Sequence, residues 1–277
     1  MPSVPFMTEI DFDVIRKLLL ERSAIALDDG KQYLVEARLT PLVRQHKLSS
    51  IGELIAKLRF EPGNSVCQQI VEAMVTPETS FFRDHHPFEA LRTVAIPDLI
   101  NRRRGDRQLN LWCAASSTGQ EPYSVALLLK EHFAQLDGWK INLLATDLSQ
   151  DALARAREGR FKQIEVNRGL PATLLVKHFE QHGTEWQLKP SIRAMVEFRE
   201  LNLANPWPAL PAMDLILLRN VMIYFNVDTK KAILARMARV LRPDGYLVLG
   251  GAETTLNLSD AYRRIEPMKA GLYQLAR

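Results

Sequence analysis

The chain is 277 residues long, 47% hydrophobic and 25% charged, which is enough apolar material for one full domain and a smaller one. Its 36 basic and 32 acidic residues leave a formal charge of +4, too slight and too evenly spread to mark a nucleic-acid binder. The two cysteines, Cys67 and Cys113, lie in separate apolar patterns with no CxxC pair, so neither a disulfide framework nor a metal site is expected, and a reducing, cytoplasmic setting fits.

The opening stretch MPSVPFMTEIDFDVIRKLLL carries acids in place of a basic leader. No apolar run approaches the ~20 residues that span a bilayer, so neither export nor membrane insertion is expected. From Thr8 to about Met74 the apolar residues recur at helical steps: Phe12, Ile15, Leu18 and Leu19, a break at Asp28-Asp29-Gly30, then YLVEARLTPLV. Ser50 stands at the cap position before IGELIAKLRF, and a further helical run covers Ser65 to Met74. Residues 1–76 therefore read as an all-helical N-terminal domain. The segment TPETSFFRDHHPF interrupts this pattern with prolines and aromatics, and 77–92 reads as a linker too apolar to be a loose tether.

Beyond residue 92 the texture alternates. LNLWCAA, INLLATD, MDLILLRN and GYLVLGGA are short apolar runs, separated by helical stretches such as EPYSVALLLKEHF, SQDALARAREGRF and DTKKAILARMARVL. Such alternation predicts a mostly parallel, doubly wound sheet over 93–277, an α/β fold whose ligand lies beyond the carboxyl ends of the strands. Trp186/Leu188 and Val196/Phe198 alternate around a KPS turn, so a small antiparallel β-subdomain is expected at about 175–200.

The chemistry-bearing residues sit where strands stop. After LNLWCAA come the small residues of SSTG and then Glu121-Pro122. Small residues admit a ligand close to the backbone, and Pro122 suits the first turn of a helix. GxGxxG and GxxxxGK[ST] are both absent, and a carboxylate at a helix start repels phosphate but attracts an ammonium group. This weighs against a nucleotide-dependent oxidoreductase. Asp147 ends the second strand, where an acid either caps the next helix or accepts the two hydroxyls of a ribose. Ribose plus ammonium without phosphate points to S-adenosylmethionine. Arg219 and Asn220 end a later strand, with Tyr224-Phe225 just beyond. Asn220 either starts a helix or bonds the nucleoside or its methionine arm, and the aromatic pair either packs in the core or walls the site.

In this order and spacing, TSFFRD, SSTGQEPYS, ATDLS, VEFRELNL, RNVMIYF and LRPDGYLVLGGAE closely resemble the CheR family of chemoreceptor glutamate O-methyltransferases, over nearly the whole chain. The resemblance implies a helical N-terminal domain joined to a Rossmann-like methyltransferase domain with a small antiparallel β-subdomain. It places contacts to S-adenosyl-L-methionine, and to its product S-adenosyl-L-homocysteine, at Thr79, Arg83, Glu121, Asp147, Asn202, Leu203, Asn220 and Val221. Tyr224 is the candidate for orienting the reacting groups. Many relatives have Asn where this chain has Pro77, so one side-chain contact and one backbone donor are missing there.

The implied reaction makes glutamate methyl esters on the cytoplasmic helices of methyl-accepting chemotaxis receptors, for sensory adaptation. Lys31, Arg38 and Arg44 match basic positions that serve substrate recognition in the family, although a plain solvated face reads the same way. The resemblance also implies a cytoplasmic enzyme recruited to receptor arrays, with a receptor C-terminal peptide as a further partner at the β-subdomain. A monomer is expected, since no long apolar surface stripe stands out.

Overall fold

Capping and apolar spacing build the helical part. Thr8 caps α1 (Glu9–Ser23): its hydroxyl accepts the Asp11 N–H at 3.1 Å while the Asp11 carboxylate accepts the Thr8 N–H at 3.2 Å. Phe12, Ile15 and Leu19 form its buried stripe. A left-handed Ala24 ends the helix, and α2 (Gln32–Gln45) follows. Ser50 caps α3 (Ile51–Phe60) by accepting the Glu53 N–H, and α4 (Ser65–Met74) buries Val66, Ile70, Val71 and Met74. The four helices pack on one another, Val35 and Leu39 of α2 being fully buried.

The computed structural model describes residues 7–60, 65–75, 78–266 and 268–276, which divide into two compact units. The helical unit runs to residue 75 and takes in Tyr224–Asn226. There the Tyr224 carbonyl accepts the Ala26 N–H at 2.9 Å and Phe225 bridges Ile25.

The second unit begins with the linker, α5 (His86–Ala90), a π-helical turn and α6 (Ile96–Arg102). Then come β1 (Gln108–Ala114), α7 (Gln120–His132), β2 (Lys140–Asp147), α8 (Gln150–Glu158), β3 (Arg160–Lys162), α9 (Gln163–Val166) and α10 (Ala172–His178). They are followed by β4 (Phe179–His182), β5 (Glu185–Leu188), α11 (Pro190–Arg193), β6 (Val196–Glu200) and β7 (Met213–Leu218). The unit closes with α12 (Val227–Val240), β8 (Leu241–Leu249), β9 (Tyr262–Arg264) and β10 (Leu272–Leu275). The main sheet has the order β6-β2-β1-β7-β8-β10-β9; its first five strands are parallel, and β10 runs antiparallel to both β8 and β9. The α/β architecture is therefore Rossmann-like, with a helical N-terminal part and a small antiparallel sheet, β3-β5-β4.

One strand falls elsewhere than expected. Val196–Glu200 does not extend the small sheet; it pairs in parallel with β2, and Arg160–Lys162 joins β5 in its place. Alternating apolar residues suit the edge of either sheet, so the pattern alone does not choose between them. The Leu201 N–H continues the parallel pairing by donating to the Asp147 carbonyl at 3.0 Å, which carries the chain after β6 to the end of β2.

The linker is anchored firmly. Phe81 is fully buried, edge-on to Phe161 at 5.0 Å and to Phe179 at 5.8 Å, and the Phe82 N–H donates to Ser124 Oγ at 2.9 Å. Gly169, at φ +83°, packs against the Phe81 carbonyl so closely that a Cβ would overlap that oxygen. Phe82, Asp84 and His85 all have positive φ, an uncommon backbone for residues other than glycine.

Candidate functional site

The ends of β1 and β2 meet through one carboxylate. Ala115 (φ 59°), Ser117 (φ 50°) and Gly119 (φ 96°) coil the loop after β1 through left-handed positions. This turns the Ser117 N–H toward Asp147, whose Oδ2 accepts it at 2.7 Å while Oδ1 accepts the Ser149 N–H at 2.9 Å. Gly119 is required there, since a Cβ would stand 3.0 Å from the Ala156 Cβ and 3.1 Å from the Tyr123 ring. Asp147 thus holds the β1 loop, while Ser149, not Asp147, caps α8 by accepting the Ala152 N–H at 3.1 Å.

Glu121, in the first turn of α7, is nearly enclosed. Burial raises its pKa above the ordinary carboxylate value, and the Arg219 guanidinium opposes that rise. Arg219 Nη1 donates to Glu121 Oε2 at 2.6 Å, and Nη2 donates to the Arg83 carbonyl at 2.9 Å and to Asp84 Oδ2 at 2.8 Å. The Arg219 side chain has no exposed surface and lies 5.6 Å from the Phe88 ring centre. The Cys113 thiol is pushed well up by burial, with the Glu121 charge as a second cause, so it stays protonated.

Next to Arg219, Asn220 adopts φ 58° and starts a turn clasped by a second carboxylate. Glu253 Oε2 accepts the N–H groups of Asn220 (2.8 Å) and Gly250 (2.8 Å), and Oε1 accepts those of Val221 (2.9 Å) and Met222 (2.7 Å). A Cβ on Gly250 would stand 2.7 Å from Glu253 Oε2 and 2.9 Å from the Asn220 nitrogen.

The second unit gathers most residues marked in the sequence at the carboxyl ends of its strands. Glu121 follows β1, Asp147 ends β2, Asn202 and Leu203 follow β6, and Asn220 and Val221 follow β7. Asn202 Oδ1 accepts the Ala204 N–H at 2.9 Å, which folds that turn beside Leu203. Arg83 comes to this region through its carbonyl on Arg219, and its Nη1 donates to the Glu78 carbonyl at 2.9 Å; Thr79 is half-buried in the same segment. Tyr224 closes the short 3₁₀ turn Met222–Tyr224. Pro77 lies outside the described residues.

Lys31, Arg38 and Arg44 belong to the helical unit. Lys31 is the N-cap of α2, and Arg44 is exposed in its last turn. The helix passes through Pro41 without a break, so Arg44 keeps the angular offset of an ordinary helix from Arg38. The Arg38 guanidinium serves the packing of the helices, because its Nη1 donates to the carbonyls of Met74 (2.9 Å) and Val75 (2.8 Å) and so caps the end of α4.

Two residues that shape this region are not marked as site residues by the sequence. Arg219 was visible only as a strand-end residue, and Glu253 only as the last letter of LRPDGYLVLGGAE. Apart from Gly250, their partners lie more than 30 residues away along the chain, where periodicity has no reach.

A parallel sheet with a small-residue loop after its central strand, an acid ending the next strand, and an enclosed carboxylate at the following helix start fits the class of Rossmann-like S-adenosylmethionine-dependent methyltransferases. The chain belongs to the CheR methyltransferase family: residues 77–270 match its SAM binding domain and residues 10–75 its all-alpha domain. It is a SAM-dependent methyltransferase whose methyl donor is S-adenosyl-L-methionine. Among similar proteins, "Chemotaxis protein methyltransferase Cher2" of Pseudomonas putida is 38% identical over 269 residues, 96% of this chain and 98% of that one. "Chemotaxis protein methyltransferase 1" of Pseudomonas aeruginosa is also 38% identical, covering 95% and 97%; its namesake in Vibrio cholerae is 35% identical, covering 94% of each chain.

Proposed function

We propose that this chain transfers the methyl group of S-adenosyl-L-methionine to the γ-carboxylate of glutamates on the cytoplasmic helices of chemoreceptors, working in the cytoplasm as a monomer recruited to receptor arrays. The observation that carries the reading is end-to-end similarity to chemotaxis protein methyltransferases, through both the helical and the cofactor domain. No helix among the described residues is long and apolar enough to cross a membrane.

The donor set fits the cofactor. Arg219 Nη1 donates to Glu121 Oε2, and the Glu121 carboxylate would receive the methionine ammonium. The Asp147 carboxylate, an acceptor with several lone pairs on each oxygen, suits the ribose hydroxyls. Arg83 neutralises the methionine carboxylate, with Thr79, Asn202, Leu203, Asn220 and Val221 completing the contacts and Tyr224 orienting the reacting groups. Bound here, the sulfonium supplies an electrophilic methyl group and a neutral thioether leaving group. A glutamate carboxylate is already ionised at neutral pH, so no residue of this chain would have to take a proton from the acceptor. Alignment and exclusion of water supply the acceleration, and no general base is needed.

Incubation with methyl-labelled cofactor and cytoplasmic receptor fragments tests this reading. Label released by mild base, and lost when receptor glutamates are replaced by alanine, is expected. Tight cofactor binding without incorporation into any receptor would leave a regulator that binds the cofactor without transferring its methyl group.

Receptor docking is tested apart from chemistry. Arg38 is unsuited to charge reversal because it caps α4, so Lys31→Glu combined with Arg44→Glu is the cleaner variant. Its affinity for S-adenosylhomocysteine should match that of the parent, while receptor methylation at low salt falls several-fold and the difference narrows as salt rises. Equal methylation rates at every salt concentration would remove this face from substrate recognition.

A further inference from the structure

We infer that Arg219 is a positioning residue for methyl transfer, locking the ammonium-binding carboxylate of Glu121 to the linker segment Arg83–Asp84 so that both ends of the methionine arm are held from one guanidinium. The inference rests on the cofactor reading of Glu121 and Arg83 above.

The geometry carries it. Arg219 follows β7 with no exposed side-chain surface, yet its two terminal nitrogens reach acceptors from two separate segments: Glu121 at 2.6 Å on the loop side, and the Arg83 carbonyl at 2.9 Å with Asp84 at 2.8 Å on the linker side. Only a planar fork with fixed donor directions spans such a set; the point charge of a lysine does not. Arg219 Nε is buried and meets no acceptor among the described residues. A buried cation with an orphan donor is poorly suited to adding stability, so its placement calls for another role. The segment it grips carries the left-handed Phe82, Asp84 and His85, a conformation that needs outside contacts to persist.

The charge balance around Glu121 gives the lock a distinct signature. Burial and the nearby Glu253 favour its protonated form, the Cys113 thiol beside it is neutral, and Arg219 with Arg83 favours the carboxylate. A protonated Glu121 does not attract an ammonium, so cofactor affinity is present above the Glu121 pKa and lost as pH falls through it. Removing the Arg219 charge moves that loss to higher pH. Keeping the charge without the fork leaves the pH limb in place and weakens grip on the linker.

The test is calorimetric binding of S-adenosylhomocysteine from pH 5 to 9 by the full chain, for the parent, Arg219→Gln, Arg219→Lys and Asp84→Asn. Asp84 is about half exposed, and its replacement by Asn keeps an acceptor oxygen for Arg219 while Glu121 and the Arg83 carbonyl stay in place, so it serves as the variant that should remain folded. Arg219→Gln should bind at least about 30-fold more weakly at pH 7 and recover part of that loss toward pH 9. Arg219→Lys should lose about tenfold with an unmoved acid limb, and Asp84→Asn a few-fold with an unmoved limb. If Arg219→Gln does not fold, Arg219→Lys and Asp84→Asn decide: parental affinity in both overturns the inference while the cofactor reading stands. Parental affinity and an unmoved limb in a folded Arg219→Gln protein overturn it as well. Failure of the parent itself to bind overturns the cofactor reading and this inference with it.

Discussion

Asp147→Ala should weaken binding of S-adenosylhomocysteine by about 100-fold or more while leaving a folded protein. Two hydrogen bonds from ribose hydroxyls to a carboxylate are charge-assisted, each worth about 1.5–3 kcal/mol, and about 1.4 kcal/mol is a factor of ten in affinity. The same carboxylate holds the Ser117 and Ser149 N–H groups, so its removal also loosens the loop after β1. The fold should persist because α8 keeps its own cap at Ser149 and β2 stays paired on both sides, to β1 and to β6. Asp147→Asn retains one acceptor oxygen and should fall between parent and alanine variant. Calorimetry read beside a thermal melt separates the two effects. Parental affinity in a folded Asp147→Ala protein would take this residue out of the ribose site.

The strand-end residues were legible in the sequence because the fold class fixes where ligands go: once LNLWCAA and INLLATD read as strands of a parallel sheet, Glu121 and Asp147 stand at the carboxyl edge. The helices before residue 76 were legible through local signals, the apolar steps of Phe12, Ile15 and Leu19 and the cap at Ser50. What escaped is non-local. Arg219 meets Glu121 across 98 residues of chain and Asp84 across 135, and no spacing rule connects them. Val196–Glu200 has the alternation of a half-covered edge strand, and only the packed chain shows that its partner is β2 rather than the small sheet. Tyr262–Arg264 and Leu272–Leu275 are too short to form a period, so the antiparallel edge they add to the sheet left no trace in the pattern. The sequence shows the charge of Arg38 but not that its guanidinium donates to the Met74 and Val75 carbonyls at the end of α4.

Glu253→Ala should be the most destabilising single change among these residues, lowering stability by about 4 kcal/mol or more. The side chain is almost fully buried and accepts from Asn220, Val221, Met222 and Gly250; each donor left unsatisfied costs about 1–3 kcal/mol, reduced where water enters. At the usual sensitivity for domains of about 150–250 residues, a melt should shift down by about 10 °C. Glutamine is no rescue, since its amide nitrogen turns a donor toward two of those N–H groups. Because the clasp sets the left-handed turn at Asn220 and aims Val221, the loss of stability should come with weaker S-adenosylhomocysteine binding. Gly250→Ala probes the same turn from the opposite direction, by forcing a methyl group against Glu253 Oε2 and Asn220 in place of removing the acceptor. Both variants should then share the affinity loss, although their chemistry differs. A Glu253→Ala protein that melts within about 3 °C of the parent and binds S-adenosylhomocysteine equally well would mean that the 220–222 turn holds its shape without the carboxylate.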